Sequence, residues 1–131
     1  MVKEPNIEEL KTRLGFGIKL WLEFEKNEKK RNILGSGWAK LLEKIDVTKG
    51  GSLTYAAQEC GYSYKYAWNI LKRIEKRTGF SPVDTRKGGS GGGGMVKLNE
   101  WGKYLLETYN KLVSELKNIE KELREIGEIN E

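Results

Sequence analysis

From Phe16 to Glu25 the chain alternates strictly, with Phe16, Ile18, Leu20, Leu22 and Phe24 separated by Gly17, Lys19, Trp21, Glu23 and Glu25. Period two with aromatic and branched residues predicts a strand with one buried face. The polar run KNEKKRN predicts a turn, and Ile33-Leu34 a short returning strand, so residues 16–34 are expected to form a hairpin. Upstream, PNIEELKTRL predicts a short amphipathic helix within an N-terminal extension, residues 1–15, with Asn6 as cap. Ile7, Leu10 and Leu14 form its apolar face, which is expected to pack against the body or a partner.

After the hairpin the period changes to that of a helical stripe. Ser36 is placed to cap a helix over 36–48 with Trp38, Leu41, Leu42 and Ile45 inward. Ser52 is placed to cap a second, over 52–60, with Leu53, Ala56, Ala57 and Cys60. Ser63 is placed to cap a third, over 63–78, with Ala67, Ile70, Leu71 and Ile74 inward and Gly79 ending it. Only Gly61-Tyr62 separates the last two, which must turn sharply. Ala56 and Ala57 are small where the third helix would cross, which suits a helix-turn-helix.

An ordinary three-helix cluster would show the same stripes, and the discriminating feature follows. PVDTRK and MVKL are short extended segments flanking GGSGGGG, and together they predict a two-stranded wing over 82–98. The predicted fold class is mainly α with a small β component, a winged helix-turn-helix over 16–98 with an N-terminal hairpin and a long C-terminal helix.

Asn99 is placed to cap that last helix, over 99–131. Leu105, Tyr109, Leu112, Leu116, Ile119, Leu123 and Ile126 recur at alternating spacings of four and three, a coiled-coil seam. A lone helix cannot bury such a seam, so a homodimer is expected; the alternative is that the seam packs back on its own domain. Glu115, Glu120 and Glu122 beside the seam favour antiparallel over parallel pairing.

Composition narrows the chemistry. The 131 residues include no His and a single Cys, Cys60. His-based triads and Cys/His zinc sites are therefore excluded within one chain, and a lone Cys fits a reducing compartment. The start MVKEPN carries no signal-peptide pattern and no stretch reaches the ~18 apolar residues of a membrane span. A soluble, cytoplasmic protein without metal or cofactor is expected. The glycine run is not a phosphate loop, because Gly94 leads into Met95-Val96 and an extended segment rather than Lys-Ser/Thr at a helix start. It is expected instead to be a wing tip, mobile in the free protein and ordered on DNA. With no nucleophile or metal set beside the helical carboxylates, no enzyme activity is expected.

Charge points to a polyanion. Net charge is +5, and the stretch from Lys49 to Lys97 holds nine Lys/Arg against Glu59, Glu75 and Asp84. With Ala67, Leu71 and Ile74 inward, the third helix turns Lys65, Asn69, Lys72 and Lys76 outward, with Arg73 alongside. Asn can bond adenine bidentately, Lys can reach guanine O6/N7, and the remaining cations can hold phosphates. Tyr64 and Tyr66 are candidates for sugar or thymine-methyl contacts, Thr54 for a phosphate and Gln58 for the groove. Ser63 is a cap whose neighbouring amides can also receive a phosphate; Trp68 reads as core. Arg86, Lys87 and Lys97 supply the wing's charge. The expected function is sequence-specific binding of double-stranded DNA by a homodimeric transcriptional regulator. The alternatives are a winged-helix protein-interaction module, which needs no basic third helix or wing, and a non-specific architectural DNA binder.

The stretches GSLTYAAQECGYSYKYAWNIL and RKGGSGGGGMVKLNEWGKYLLETY resemble the DNA-binding domain of ModE-type, molybdate-responsive transcriptional regulators. The marks are Ser63-Tyr64-Lys65 with Ala67-Trp68, the GGSGGGG run, and Leu98 followed by Trp101-Gly102. LWLEFEKNEKKRNILGSGW resembles that family's N-terminal hairpin and first helix, so the likeness extends from about Phe16 to Leu112. More loosely, the helical part is similar to LysR-type regulators. The resemblance implies a winged helix-turn-helix that binds a palindromic operator as a dimer. Molybdate sensing is not implied, since family members sense the oxyanion through additional C-terminal domains, and the effector stays unassigned.

Overall fold

A computed structural model of the chain describes residues 3–48, 51–86 and 95–127. Two units are distinguishable: residues 20–110 form one, and residues 1–19 with 111–131 the other.

Within the larger unit, β1 (Leu22–Lys26) pairs antiparallel with β2 (Lys29–Leu34), from Leu22 opposite Leu34 to Lys26 opposite Lys29, with an irregularity between Leu22 and Glu23. Asn27 and Glu28 make the turn with φ of 53° and 64°, the left-handed pair that a two-residue hairpin loop requires. The strand thus begins at Leu22 rather than Phe16. A strand needs a ladder partner, and β2 ends opposite Leu22 because the next helix starts two residues after Leu34. The polar run KNEKKRN is likewise mostly strand, only two of its residues turning. Its Lys and Arg side chains are exposed on a two-stranded ribbon, where polarity costs nothing.

Three helices follow: α2 (Ser36–Val47), α3 (Leu53–Cys60) and α4 (Tyr64–Thr78). Ser36 is the first helical residue rather than the cap; Gly35 stands at the cap in extended conformation with no side-chain bond. The other two serines do cap their helices, Ser52 Oγ accepting from Tyr55 N at 3.2 Å and Ser63 Oγ from Tyr66 N at 3.0 Å. Gly61 closes α3 at φ 73°, a left-handed position that lets the chain reverse into α4 within three residues. Ala56, Ala57 and Ala67 are buried, as small residues must be where two helices cross closely. Leu41, Leu42, Ile45, Leu53, Ile70, Leu71 and Ile74 fill the core around them, joined by Ile33 and Leu34 from β2. Trp38 and Cys60, expected inward, are only half-buried.

β3 (Val83–Arg86) and β4 (Met95–Leu98) pair antiparallel, Val83 opposite Leu98 and Arg86 opposite Met95. Val96 N donates to Gly51 O at 2.8 Å, which fastens β4 to the segment leading into α3. The expected wing tip, Lys87 and the glycine run 88–94, lies outside the described residues. α5 (Glu100–Gly127) begins behind Asn99, whose Oδ1 accepts from Gly102 N at 2.9 Å. The order α2, α3, α4, β3, β4 is that of a winged helix-turn-helix, mainly α with small β, preceded by a hairpin and followed by a long helix.

In the smaller unit, α1 (Ile7–Lys11) is capped by Asn6 Oδ1, which accepts from Glu9 N at 3.3 Å. Ile7, Leu10 and Leu14 remain exposed. Arg124 of α5 lies 5.3 Å above the Phe16 ring.

Candidate nucleic-acid interface

The outward face of α4 is set by its inward one. Ala67, Ile70, Leu71, Ile74 and Thr78 are buried, and that stripe leaves Tyr64, Lys65, Tyr66, Asn69, Lys72, Arg73 and Lys76 exposed. Seven of the helix's fifteen residues are thereby exposed cationic, amide or phenolic groups, and Glu75 is the only acid in it. Ser63 is exposed at the helix start, and Thr54 and Gln58 are exposed on α3. Arg86 and Lys97 are exposed on the wing, with Asp84 paired across the ladder from Lys97. Trp68, Lys72 and Glu75 share a recess with Ser81, Val83 and Thr85, so the middle of α4 and the first wing strand form one continuous surface.

Several of these side chains are already engaged. Lys72 Nζ lies 3.6 Å from Glu75 Oε1 and 5.2 Å from the centre of the Trp68 ring. Both partners are partly solvated, so the pair restrains the lysine more than it neutralises it. Trp68 is half-buried and serves as the plate under that lysine. Tyr66 packs edge-on against Tyr62 with ring centres 4.8 Å apart.

Two residues outside the sequence pattern hold α4. Arg77 Nη1 donates to Asn32 O at 2.6 Å while its guanidinium lies 5.6 Å from the centre of the Trp38 ring. Lys26 Nζ donates to Lys76 O at 3.4 Å, placing a cation near the negative end of the helix dipole. The hairpin therefore grips the C-terminal turn of α4 and fixes its direction. Arg77 could have been suspected, since it continues the buried row of Ile70 and Ile74 at helical spacing; for Lys26, fifty residues away, no local signal exists.

Other chemistry is sparse. Burial pushes the Cys60 thiol up, against the lowering effect of Lys40 and Lys44, which keeps it protonated and a poor nucleophile at neutral pH. Among the described residues no cluster of three or more His, Cys, Asp or Glu could hold a metal, and no helix is long and apolar enough to cross a membrane.

The expected seam of α5 divides into two parts. Leu105 and Tyr109 are 3% and 7% exposed in the single chain, and Tyr109 Oη donates to Leu20 O at 3.4 Å. These two belong to the chain's own core, because their stretch of α5 lies within the winged unit; they leave no surface for a partner. Further along, Leu112, Ile119 and Leu123 are 40%, 45% and 43% exposed and Leu116 is half-buried. The side chain of Ile126 lies outside the described residues.

No protein-family model matches the chain. It is 33% identical over 66 residues to the DNA-binding transcriptional dual regulator ModE of Escherichia coli (strain K12), covering 50% of this chain and 25% of that protein. The molybdenum transport protein ModE of Herbaspirillum seropedicae is 34% identical over 82 residues, 56% of this chain and 30% of that protein. The transcriptional regulator ModE of Yersinia pestis is 34% identical over 74 residues, with 56% and 27% covered. Over about half its length the chain is thus similar to proteins named ModE, and it spans only a quarter to three tenths of theirs.

Proposed function

We propose that the protein is a sequence-specific DNA-binding transcriptional regulator that lays α4 in the major groove and rests its wing on the adjacent backbone. The observation that carries this reading is the outward face of α4, where Lys65, Asn69, Lys72, Arg73 and Lys76 stand exposed beside a basic wing. Asn69 would read adenine and Lys65 guanine, each through base-edge hydrogen bonds. Lys72, Arg73 and Lys76 would hold phosphates, with Tyr64 and Tyr66 against sugar or thymine methyl. Thr54, Gln58 and the free amides behind Ser63 would approach the strand from α3 and the start of α4. Arg86, Lys87 and Lys97 would anchor the wing. Similarity to transcriptional regulators named ModE supports the reading; no effector is assigned. A mobility-shift assay on genomic fragments tests it: a complex resistant to non-specific competitor at low salt is expected, and its absence would refute the proposal.

The wing's contribution is separable by salt. Arg86→Ala is expected to weaken all sequences alike and to reduce the slope of log K against log salt by about one, the counterion release of one phosphate contact. An unchanged slope would remove Arg86 from the interface.

The reading includes a homodimer built on the exposed part of α5, Leu112, Leu116, Ile119 and Leu123, with Ile126 as its continuation. Sedimentation at micromolar concentration is expected to show a dimer, and the paired substitution Ile119→Glu with Leu123→Glu is expected to dissociate it by placing charge on its apolar seam. A wild-type monomer would sink this part.

A further inference from the structure

A second surface on the winged unit has the features of a small-molecule site. Trp21, Trp38, Tyr62 and Tyr66 line an open cavity of about 420 Å³, with Arg77 and Asn32 supplying polar groups. That is within the size range of small-ligand pockets. Among the described residues none that lines it is acidic, and Arg77 is its one charged group. The arginine is held in place, its guanidinium 5.6 Å from the centre of the Trp38 ring and bonded through Nη1 to Asn32 O. That bond uses one of a guanidinium's five donors and leaves others free to meet an anion. The Tyr62 hydroxyl lies tight against α2: a Cβ on Gly37 would fall 2.7 Å from it. Burial raises the Tyr62 pKa, so its hydroxyl keeps its proton as a donor. Trp21, which also lines the cavity, is 48% exposed, so part of its side chain is open to solvent.

We infer that this cavity binds a planar aromatic carboxylate of one or two rings, the ring against the tryptophan and tyrosine faces and the carboxylate on Arg77 and Tyr62. Aromatic walls select a flat apolar body, and a lining that offers a guanidinium and hydroxyls without any carboxylate selects a negative charge. Tyr66 belongs both to the cavity and to the first turn of α4, so an occupant would bias DNA binding. This coupling rests on the DNA-binding reading, whereas the binding itself does not.

The test uses the full chain labelled at its four tryptophan indoles, followed by proton–nitrogen correlation NMR. Titration with 2-naphthoate is expected to shift the Trp21 and Trp38 indoles saturably and to leave Trp68 and Trp101 in place. 2-Naphthalenemethanol and inorganic phosphate, each carrying half of the required chemistry, are expected to bind about tenfold more weakly or not at all. Arg77→Gln is expected to weaken naphthoate about tenfold; because Arg77 also anchors Asn32, Tyr62→Phe serves as a second variant, losing severalfold affinity for naphthoate but none for the alcohol. Equal binding of the neutral alcohol, a shift of all four indoles together, or no saturable shift would overturn the site. The same titration contains no DNA, so a failed DNA assay leaves its outcome intact. Saturated indoles with unchanged DNA affinity would overturn the coupling alone.

Discussion

Gly102→Ala is expected to destabilise the winged unit by at least about 3 kcal/mol, the upper range for overpacking, and to lower the melting temperature by about 10 °C. A Cβ built on Gly102 falls on the Pro82 carbonyl oxygen, 3.1 Å from the Pro82 carbonyl carbon and 3.2 Å from Leu98 Cδ2. Backbone cannot retreat as a flexible side chain would. The same carbonyl accepts from Asn99 N at 3.1 Å, and Asn99 Nδ2 donates to Ser81 O at 2.7 Å. Asn99 thus caps α5 and ties its first turn to the base of the wing at once. Helix propensity alone would favour alanine by about 1 kcal/mol, so the sign of the change decides which effect dominates. Gly17→Ala, with nothing within 4 Å, is the control and should leave the melting temperature almost unmoved. Thermal unfolding followed by circular dichroism measures both, and an unchanged Gly102→Ala melting temperature would show that α5 is not seated against Pro82.

The paired substitution Lys65→Ala with Asn69→Ala is expected to reduce affinity for a selected DNA sequence by roughly 30-fold to 10⁴-fold, at about 1–3 kcal/mol for each base contact. Both side chains are exposed on α4. Neither has a hydrogen bond or ion pair holding it to the fold among the described residues, so the melting temperature should not move. Affinity for unrelated DNA should fall far less, since phosphate contacts from Lys72, Arg73, Lys76 and the wing would persist. The two losses together separate reading from holding. Titration of a labelled duplex measures them, and an equal loss on both DNAs would assign Lys65 and Asn69 to the backbone instead.

Local chemistry made much of the fold legible. The caps at Asn6, Ser52, Ser63 and Asn99 depend on one side chain and an amide three residues on or fewer, and the structure shows each of those bonds. The inward stripe of α4 follows from helical spacing alone, and with it the outward face. Ser36 failed as a cap because the preceding glycine adopts the extended conformation one residue earlier. Strand limits failed where they depend on a partner: the alternation from Phe16 is genuine, but among the described residues no strand lies opposite residues 16–21. Periodicity presents the seam of α5 as one surface because it is blind to which stretch the chain's own core consumes; Leu105 and Tyr109 show the difference. Lys26 and Arg77 hold α4 across separations of 50 and 45 residues, and no short-range pattern encodes such contacts. The aromatic cavity was equally hidden, since its walls come from the stretch before β1, from β2, from the segment leading into α2, from α2 itself, from the turn between α3 and α4, and from α4.

We propose that the exposed face of α4 reads DNA sequence. Selection of bound duplexes from a random pool, carried out in parallel with the wild-type chain and with Asn69→Ala, tests it most directly. The wild type is expected to enrich one motif, and Asn69→Ala to lose its preference at a single adenine-bearing position while keeping the rest. Enrichment of no motif by the wild type, or of an identical motif by both proteins, would contradict it.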